Sequence, residues 1–380
     1  MSRDVAIVGA GMVPFGRYPD ATHADIAVPA ILAAMADADV TPEQLESLYC
    51  GSSFGGMLTG QRVLRELGMT GPPVVNVENA CSSGSSAIRE AYLGIRAGEF
   101  DVALVFGIDK LTQFGGGTLP LENEDHEVRA GMVMPALYAM RARRYLHEFG
   151  HDPAALAAVT VKSRRHASLN PYAQLRETTD VGEVLASRMI ADPLTLFQCC
   201  PSGDGAAAVV LAAADLADRF APPPVHILAS VLESGRYEPG PRDMTRAEIT
   251  IRGAAEAYEA AGLGPDDIDV AEIHDAFSIA ELMYYEAFGF CQPGEGPKLL
   301  ESGETGLGGR IVVNPSGGLL SRGHPVGATG VAQMVEIVWQ LRGECGPRQA
   351  EGARIGLTHA TGGGIAGLDH AACAIHILTR

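Results

Sequence analysis

VENACSSGSSAIRE, residues 77–90, carries a strand-to-helix turn with a thiol at its corner. Val74, Val75 and Val77 lead in as a strand-like apolar run. A single Cys81 is followed by five small residues, Ser82 to Ser86. Ile88, Ala91, Tyr92 and Ile95 then recur at helical spacing until Gly98 stops the pattern. Free N–H groups and the helix dipole at such a start favour an anion, a thiolate included. The small residues let a second backbone or a substrate come close, which suits a nucleophile. The same turn also suits a buried Cys that packs as a small hydrophobe and has no chemical task.

Around this turn, strands and helices alternate. Val5–Val8 reads as a strand, Thr22–Ala38 as a helix interrupted at Pro29, Ser47–Cys50 as a strand, Arg62–Leu67 as a short helix and Val102–Phe106 as a strand. Alternation of this kind predicts a mostly parallel sheet. The GAGMVPFG segment after the first strand matches a dinucleotide fingerprint at Gly9 and Gly11, but Pro14 stands at the third glycine and no helix begins there. Residues 112–200 break the rhythm with Gly115–Gly117, an acidic run at Glu122–Glu127 and helical stretches at Met134–Leu146 and Pro153–Ser168, and read as an inserted loop domain. SGDGAAAVVLAAA, from Ser202, returns to a buried strand.

A second unit starts near Pro224. Val225–Val231 reads as a strand, Thr245–Ala261 as a helix, Ile268–Ile273 as a strand ending in HDAF, and Phe277–Phe288 as a helix. NPSGGLLSRGHPVGATG then opens a helix with Val331, Met334, Val335, Val338 and Leu341 on one face. Arg354–Thr358 reads as a strand, HATGGGIAG as a turn and Ala372–Leu378 as a last strand. In both units a small-residue turn opens a helix, a glycine ends it and a strand follows. Two similar α/β halves, 1–223 and 224–380, are therefore expected, with their reactive turns meeting between them.

The chain has 380 residues and a net charge of −18. That charge argues against nucleic acid, which calls for a basic surface. Seven Cys, an odd number without C-x-x-C spacing, fit neither a metal site nor a disulfide framework and point to a reducing cytoplasm. No apolar run is long enough to predict a membrane span, and the N-terminus lacks a signal-peptide core. Lys162, Arg164 and Arg165 form a basic cluster with His166, read either as a solvated helix face or as a site for ligand phosphates.

Four turns collect reactive side chains: Cys81, His274 in HDAF, His324 in GHP and His359 in HATGGG. Each stands where a predicted strand ends or a helix begins, the position at which open α/β sheets bind ligands.

Taken together, VENACSSGSSA, HDAF, NPSGGLLSRGHPVGATG and the glycine-rich turn near the C-terminus resemble the thiolase superfamily, most closely its sterol-carrier-protein-type and archaeal-type branch. The resemblance spans nearly the whole chain. It implies a five-layered αβαβα fold of two similar halves with an inserted loop domain. It also implies an acyl-CoA C-acyltransferase that forms or cleaves a 3-ketoacyl-CoA through an acyl-cysteine, by default with acetyl-CoA and acetoacetyl-CoA. Cys81 would be the nucleophile. His324 would take its proton and serve the first oxyanion hole with His274. The N–H groups of Cys81 and Gly362 would form the second hole. The two positions where relatives carry a second cysteine are Ala276 and Ala360 here, so His359 is the expected replacement base. Lys162, Arg164 and Arg165 would meet the phosphates of coenzyme A, which is a substrate; no permanently bound cofactor and no metal are expected. A homodimer or homotetramer is implied, with a small zinc-ribbon/OB-fold partner as a possibility. Two alternatives stay open: acyl transfer to a phenolic acceptor within a multi-subunit complex, and a non-catalytic lipid-binding or aldolase-like homologue.

Overall fold

A computed structural model describes residues 3–69, 71–121, 124–236, 240, 242–363 and 370–380. The N-terminal half runs β1 (Val5–Met12), α1 (His23–Ala38), β2 (Ser47–Gly51), α2 (Thr59–Glu66), β3 (Val74–Val77), α3 (Ser83–Ala97) and β4 (Val102–Lys110). An insert then adds α4 (His126–Arg129), α5 (Met134–Phe149), α6 (Ala154–Ser168), α7 (Val181–Ala186) and the hairpin of β5 (Met189–Ala191) and β6 (Leu194–Thr195), before β7 (Asp204–Ala213) closes the half. The C-terminal half runs β8 (Val225–Ser234), α8 (Glu248–Ala261), β9 (Val270–Glu272), α9 (Ser278–Ala287), α10 (Gly296–Glu301), β10 (Val312–Val313), α11 (Gly318–Ser321), α12 (Val326–Arg342), β11 (Ile355–Gly362) and β12 (Ala372–Thr379).

The strand order is β3-β2-β4-β7-β1 in the first half and β10-β9-β11-β12-β8 in the second, and the two runs join where Ala6 and Ile7 meet His226 and Val225. The second half repeats the first strand for strand. In each, three neighbouring strands pair parallel, and the last two pairings are antiparallel because one strand, β7 or β12, runs against the other four. The sheet is therefore mixed, where strand–helix alternation had suggested a mostly parallel one. In the second half the reason is a short connection: Gly362 and Ala372 are separated by nine residues, fewer than the crossover a parallel pair needs.

Helices α3 and α12 lie side by side and touch strands of both halves, while α1 covers the outer face of the first half and α8 that of the second. The layers thus read α, β, α, β, α. Their closeness in the middle layer depends on glycine. A Cβ on Gly84 would sit 2.5 Å from the Gly327 carbonyl oxygen, and both belong to the first turns of their helices. On α12 the glycine that faces α3 is Gly330, whose Cβ would sit 2.6 Å from the Ser85 nitrogen, so the two backbones come this close only without side chains on either side. The insert lies over the second half, where Tyr138 and Tyr145 of α5 join the same buried cluster as Tyr284 and Phe288.

One boundary differs with consequence. β11 continues through Gly362, so the HATG expected as turn pairs with β12, His359 opposite Ile375 and Gly362 opposite Ala372. The ladder hydrogen bonds override a local sequence poor in strand formers. Residues 364–369 of that expected turn lie outside the described residues.

Two outcomes test this packing. Gly84→Ala drives a methyl group into the backbone of α12, and should cost about 1–3 kcal/mol of stability, read by urea unfolding, as overpacked cores do. His376, buried on β12, is held neutral at about 3 by burial and by Arg89. The unfolded imidazole takes a proton below 6.5, so the unfolded state binds more protons there and stability falls as pH falls from 6.5 towards 3. His376→Phe should remove that dependence, gaining about 2 kcal/mol on the wild type between pH 7 and pH 5. Equal pH dependence in both proteins would count against a neutral buried imidazole.

Candidate active site

The Cys81 turn is built from its own small side chains. Ala80 has φ +48°, a left-handed conformation that a residue with a Cβ adopts only when its surroundings enforce it. The enforcement is visible: the Ser83 and Ser53 hydroxyls donate to the Ala80 carbonyl at 2.6 and 2.8 Å, and the Asn79 N–H donates to Ser83 Oγ at 2.9 Å. Cys81 is half-buried at the floor of a cavity. Burial first, then the charge of Asp109, push its thiol up to about 12, against the pull of its own N–H and that of Gly363. A helix start alone suggested a lowered thiol; here desolvation outweighs the dipole. The expected donor Gly362 packs flat against the turn, its missing Cβ 3.1 Å from the Cys81 nitrogen. The amide that reaches the sulfur is that of Gly363, one residue further on.

His324 enters from the start of α12. Thr329 Oγ1 donates to the Pro325 carbonyl at 2.9 Å, so towards the ring it is left as an acceptor, and His324 Nδ1 lies 2.7 Å from it. Nδ1 therefore carries the proton and the lone pair of Nε2 is free to accept one. Burial, with Arg322 adding, lowers this imidazole to about 3. The ring of His274 stands edge-on to that of His324, with centroids 5.1 Å apart. Burial and the neighbouring histidines hold it well below the usual range, and its buried Nδ1 has no partner among the described residues. The sulfur of Cys81 and one nitrogen of each ring all lie within 4.8 Å of one another, a spacing that could also close on a thiophilic metal ion. In the resting site a neutral thiol thus faces two neutral imidazoles.

Asp109 at the end of β4 ties these pieces together. Its carboxylate accepts from Ser52 Oγ and from the N–H groups of Ser53, Phe54 and Gly327, at 2.6–3.1 Å. The last is the first turn of α12, so one buried carboxylate fixes the His324 helix to the loop after β2.

The other expected residues sit elsewhere. His359 does not line the cavity. From mid-β11 its side chain enters the outer core, Nε2 3.1 Å from Thr250 Oγ1, Nδ1 accepting from the His274 N–H at 3.4 Å, and the rings of Tyr284 and Phe288 edge-on. Strand alternation turns it away, and both ring nitrogens are engaged. Its geometry supports the position of His274 and not proton abstraction from a substrate. Lys162 is likewise withdrawn from ligand binding: it is buried against Glu281 at 2.6 Å and Tyr285 Oη at 2.9 Å. Arg165 is exposed on the outside of α6. Of the basic cluster only Arg164 lines the cavity.

The cavity has a volume of about 480 Å³ and a largely apolar lining, with Met134, Tyr138, Phe197 and Phe277 among its walls. Reading motifs alone missed several participants. His370 lines it, its Nε2 2.7 Å from the Tyr138 hydroxyl. Cys200 also lines it, delivered beside the vacant second-cysteine position by an N–H that donates to the Ala276 carbonyl at 2.9 Å. The adjacent Cys199–Cys200 pair was a visible signal; nothing local to His370 singled it out.

Known proteins bear directly on this site. Residues 5–215 match the family description "Thiolase, N-terminal domain" and residues 240–376 match "Thiolase C-terminal domain-like". The chain belongs to the thiolase family. It is 43% identical to the benzoylsuccinyl-CoA thiolase subunit BbsB of Thauera aromatica, over 96% of both chains. It is 41% identical to the acetyl-CoA acetyltransferase of Methanothermobacter thermautotrophicus over the full length of both. The solved Ltp2-ChsH2(DUF35) aldolase shares its fold with a TM-score of 0.86, covering 99% of this chain and 98% of that one at 24% identity. This thiolase is an acyl-CoA C-acyltransferase enzyme, and the archaeal relative agrees with the branch its motifs resemble.

Thr329→Val removes the acceptor that fixes the His324 tautomer. It should lower kcat/KM by up to about a hundredfold, a large part of what a positioned base contributes, with thermal stability and substrate KM little changed. Unaltered kcat/KM would show that the Thr329 contact does not orient the base.

Proposed function

We propose that Cys81 carries the acyl group and that His324 alone moves the protons of both half-reactions. The observation that carries this reading is the triangle of Cys81, His274 and His324, with the lone pair of His324 Nε2 left free by Thr329. In the cleavage direction, His324 takes the thiol proton as Cys81 attacks the 3-keto carbon. The carbon–carbon bond then breaks, the acyl group stays on sulfur, and the departing carbanion of the shortened acyl-CoA takes the proton back from the imidazolium. Coenzyme A enters next. His324 removes its thiol proton, its sulfur attacks the acyl-cysteine, and the proton returns to the Cys81 sulfur. The balance closes with one imidazole, so the absence of cysteines at Ala276 and Ala360 needs no substitute at His359. His274 serves the oxyanion of the CoA thioester, and the amides of Cys81 and Gly363 that of the acyl-enzyme. A lost donor in such a hole typically costs about a hundredfold or more.

Acetyl-CoA and acetoacetyl-CoA are the default pair. A cavity of about 480 Å³ is of the size that holds drug-like ligands, so larger apolar acyl groups are admitted as well, in keeping with the name of the Thauera relative. A homo-oligomer is supported by β3, which ends the sheet paired only with β2 among the described residues and exposes Val75. A small partner subunit is supported by two printed names, one relative being called a subunit and one similar structure pairing with a DUF35 chain. Cytoplasmic residence is supported by a chain that holds seven cysteines and no disulfide bond among the described residues. Among the described residues no helix is long and apolar enough to cross a membrane.

Intact mass after incubation with a panel of acyl-CoA thioesters tests the central step. The wild type should gain one acyl mass, discharged by added coenzyme A, and Cys81→Ala should gain none. Acylation that survives in Cys81→Ala would overturn the assignment.

A further inference from the structure

Arg164 differs from the other buried cations of this chain. Lys162, Arg322, Arg342 and Arg348 each meet a carboxylate, at 2.6, 3.0, 2.7 and 3.0 Å. Arg141 is held by the carbonyls of Met244 and Arg246. Arg164 is 8% exposed, and among the described residues its one hydrogen bond runs from Nη1 to the Glu177 carbonyl at 3.3 Å. Its Nε is buried with no partner. The guanidinium lies over the Phe197 ring, 5.2 Å from the centroid, and both residues line the cavity that holds Cys81 and His324. Burial lowers its affinity for the proton, and the Glu177 charge restores only part of it. A buried charge with one weak neutral contact is costly in a folded protein unless an opposite charge arrives. The guanidinium fork is also shaped for a planar carboxylate.

The rest of the described lining is largely apolar, its polar members including histidines and the hydroxyls of Thr118, Ser202 and Thr361, and the one further arginine or lysine among the described lining residues, Arg188, is exposed. We infer that Arg164 is a subsite for an anionic group of the ligand, and that this group is a free carboxylate on the acyl moiety. The substrate class is then a 3-ketoacyl-CoA that bears a second carboxylate beyond the thioester, apolar along most of its length and anionic at one point. This rests on the acyl-transfer reading of the same cavity. The other source of the same chemistry is a phosphate of coenzyme A, which would engage Arg164 whatever the acyl group.

Two CoA thioesters that differ only in that charge decide the matter: 3-oxoadipyl-CoA and its ω-methyl ester. With the wild-type enzyme, kcat/KM for the acid should exceed that for the ester by about tenfold or more, the scale expected when a buried charge finds its partner. In Arg164→Gln the preference should vanish, the acid losing rate and the ester keeping it. A wild type that shows no preference, or prefers the ester, overturns the inference without any variant and therefore without any question of folding. An equal loss for both substrates in Arg164→Gln also overturns it and moves Arg164 to the coenzyme. If Cys81 is acylated by the ester but the acid holds no advantage, only this inference fails. If neither thioester acylates Cys81, the acyl-transfer reading fails with it.

Discussion

A close approach of two helix starts sets the chemistry of the molecule. The opening turns of α3 and α12 touch backbone to backbone because Gly84 on one and Gly330 on the other carry no side chains. Each of those turns follows a reactive residue, Cys81 before one helix and His324 before the other. Asp109 locks the arrangement from beneath by accepting the Gly327 N–H and three donors of the loop at Ser52–Phe54. Two helix starts from the two halves thus become one site. Neither half could make it alone, since each contributes one member of the thiol–imidazole pair.

Burial then decides which protonation states the pair can use. A thiol pushed up to about 12 and an imidazole lowered to about 3 do not exchange a proton at rest. Charge appears only when a substrate carbonyl is attacked, and the N–H groups of Cys81 and Gly363 are already aimed at the sulfur's surroundings. Preformed donors of this kind need no reorganisation at the moment of reaction. The same dryness keeps His274 and His324 neutral, so their rings can stand 5.1 Å apart without repulsion.

The insert supplies what the duplicated core lacks. Its helix α6 is anchored by the Lys162–Glu281 pair, and its helix α5 by the tyrosine cluster. Between these anchors it walls the cavity with Tyr138, Phe197 and Arg164. The basic cluster on α6 is thereby divided: Lys162 holds the fold, Arg165 faces solvent and Arg164 lines the cavity. Helical spacing explains the division, because residues 162, 164 and 165 project in different directions around α6.

Much of this was legible from local sequence. The duplicated order of strands and helices, the insert, the Cys81 turn and the GHP turn are written in short-range patterns of small and apolar residues, and backbone conformation there follows from residue type. The role of His359 was not legible, because a strand alternates its faces and the ladder with β12 carried β11 four residues past Thr358. Nor were Thr329 as tautomer anchor, Asp109 as clamp, or His370 and Cys200 on the cavity wall, since each acts through partners distant in the chain or through one hydrogen bond's direction. The sequence by itself determined which residues could react and where the chain would turn. Only the tertiary structure decided which of them meet, and in which protonation state, because distance and desolvation are properties of the packed layers and not of any one segment.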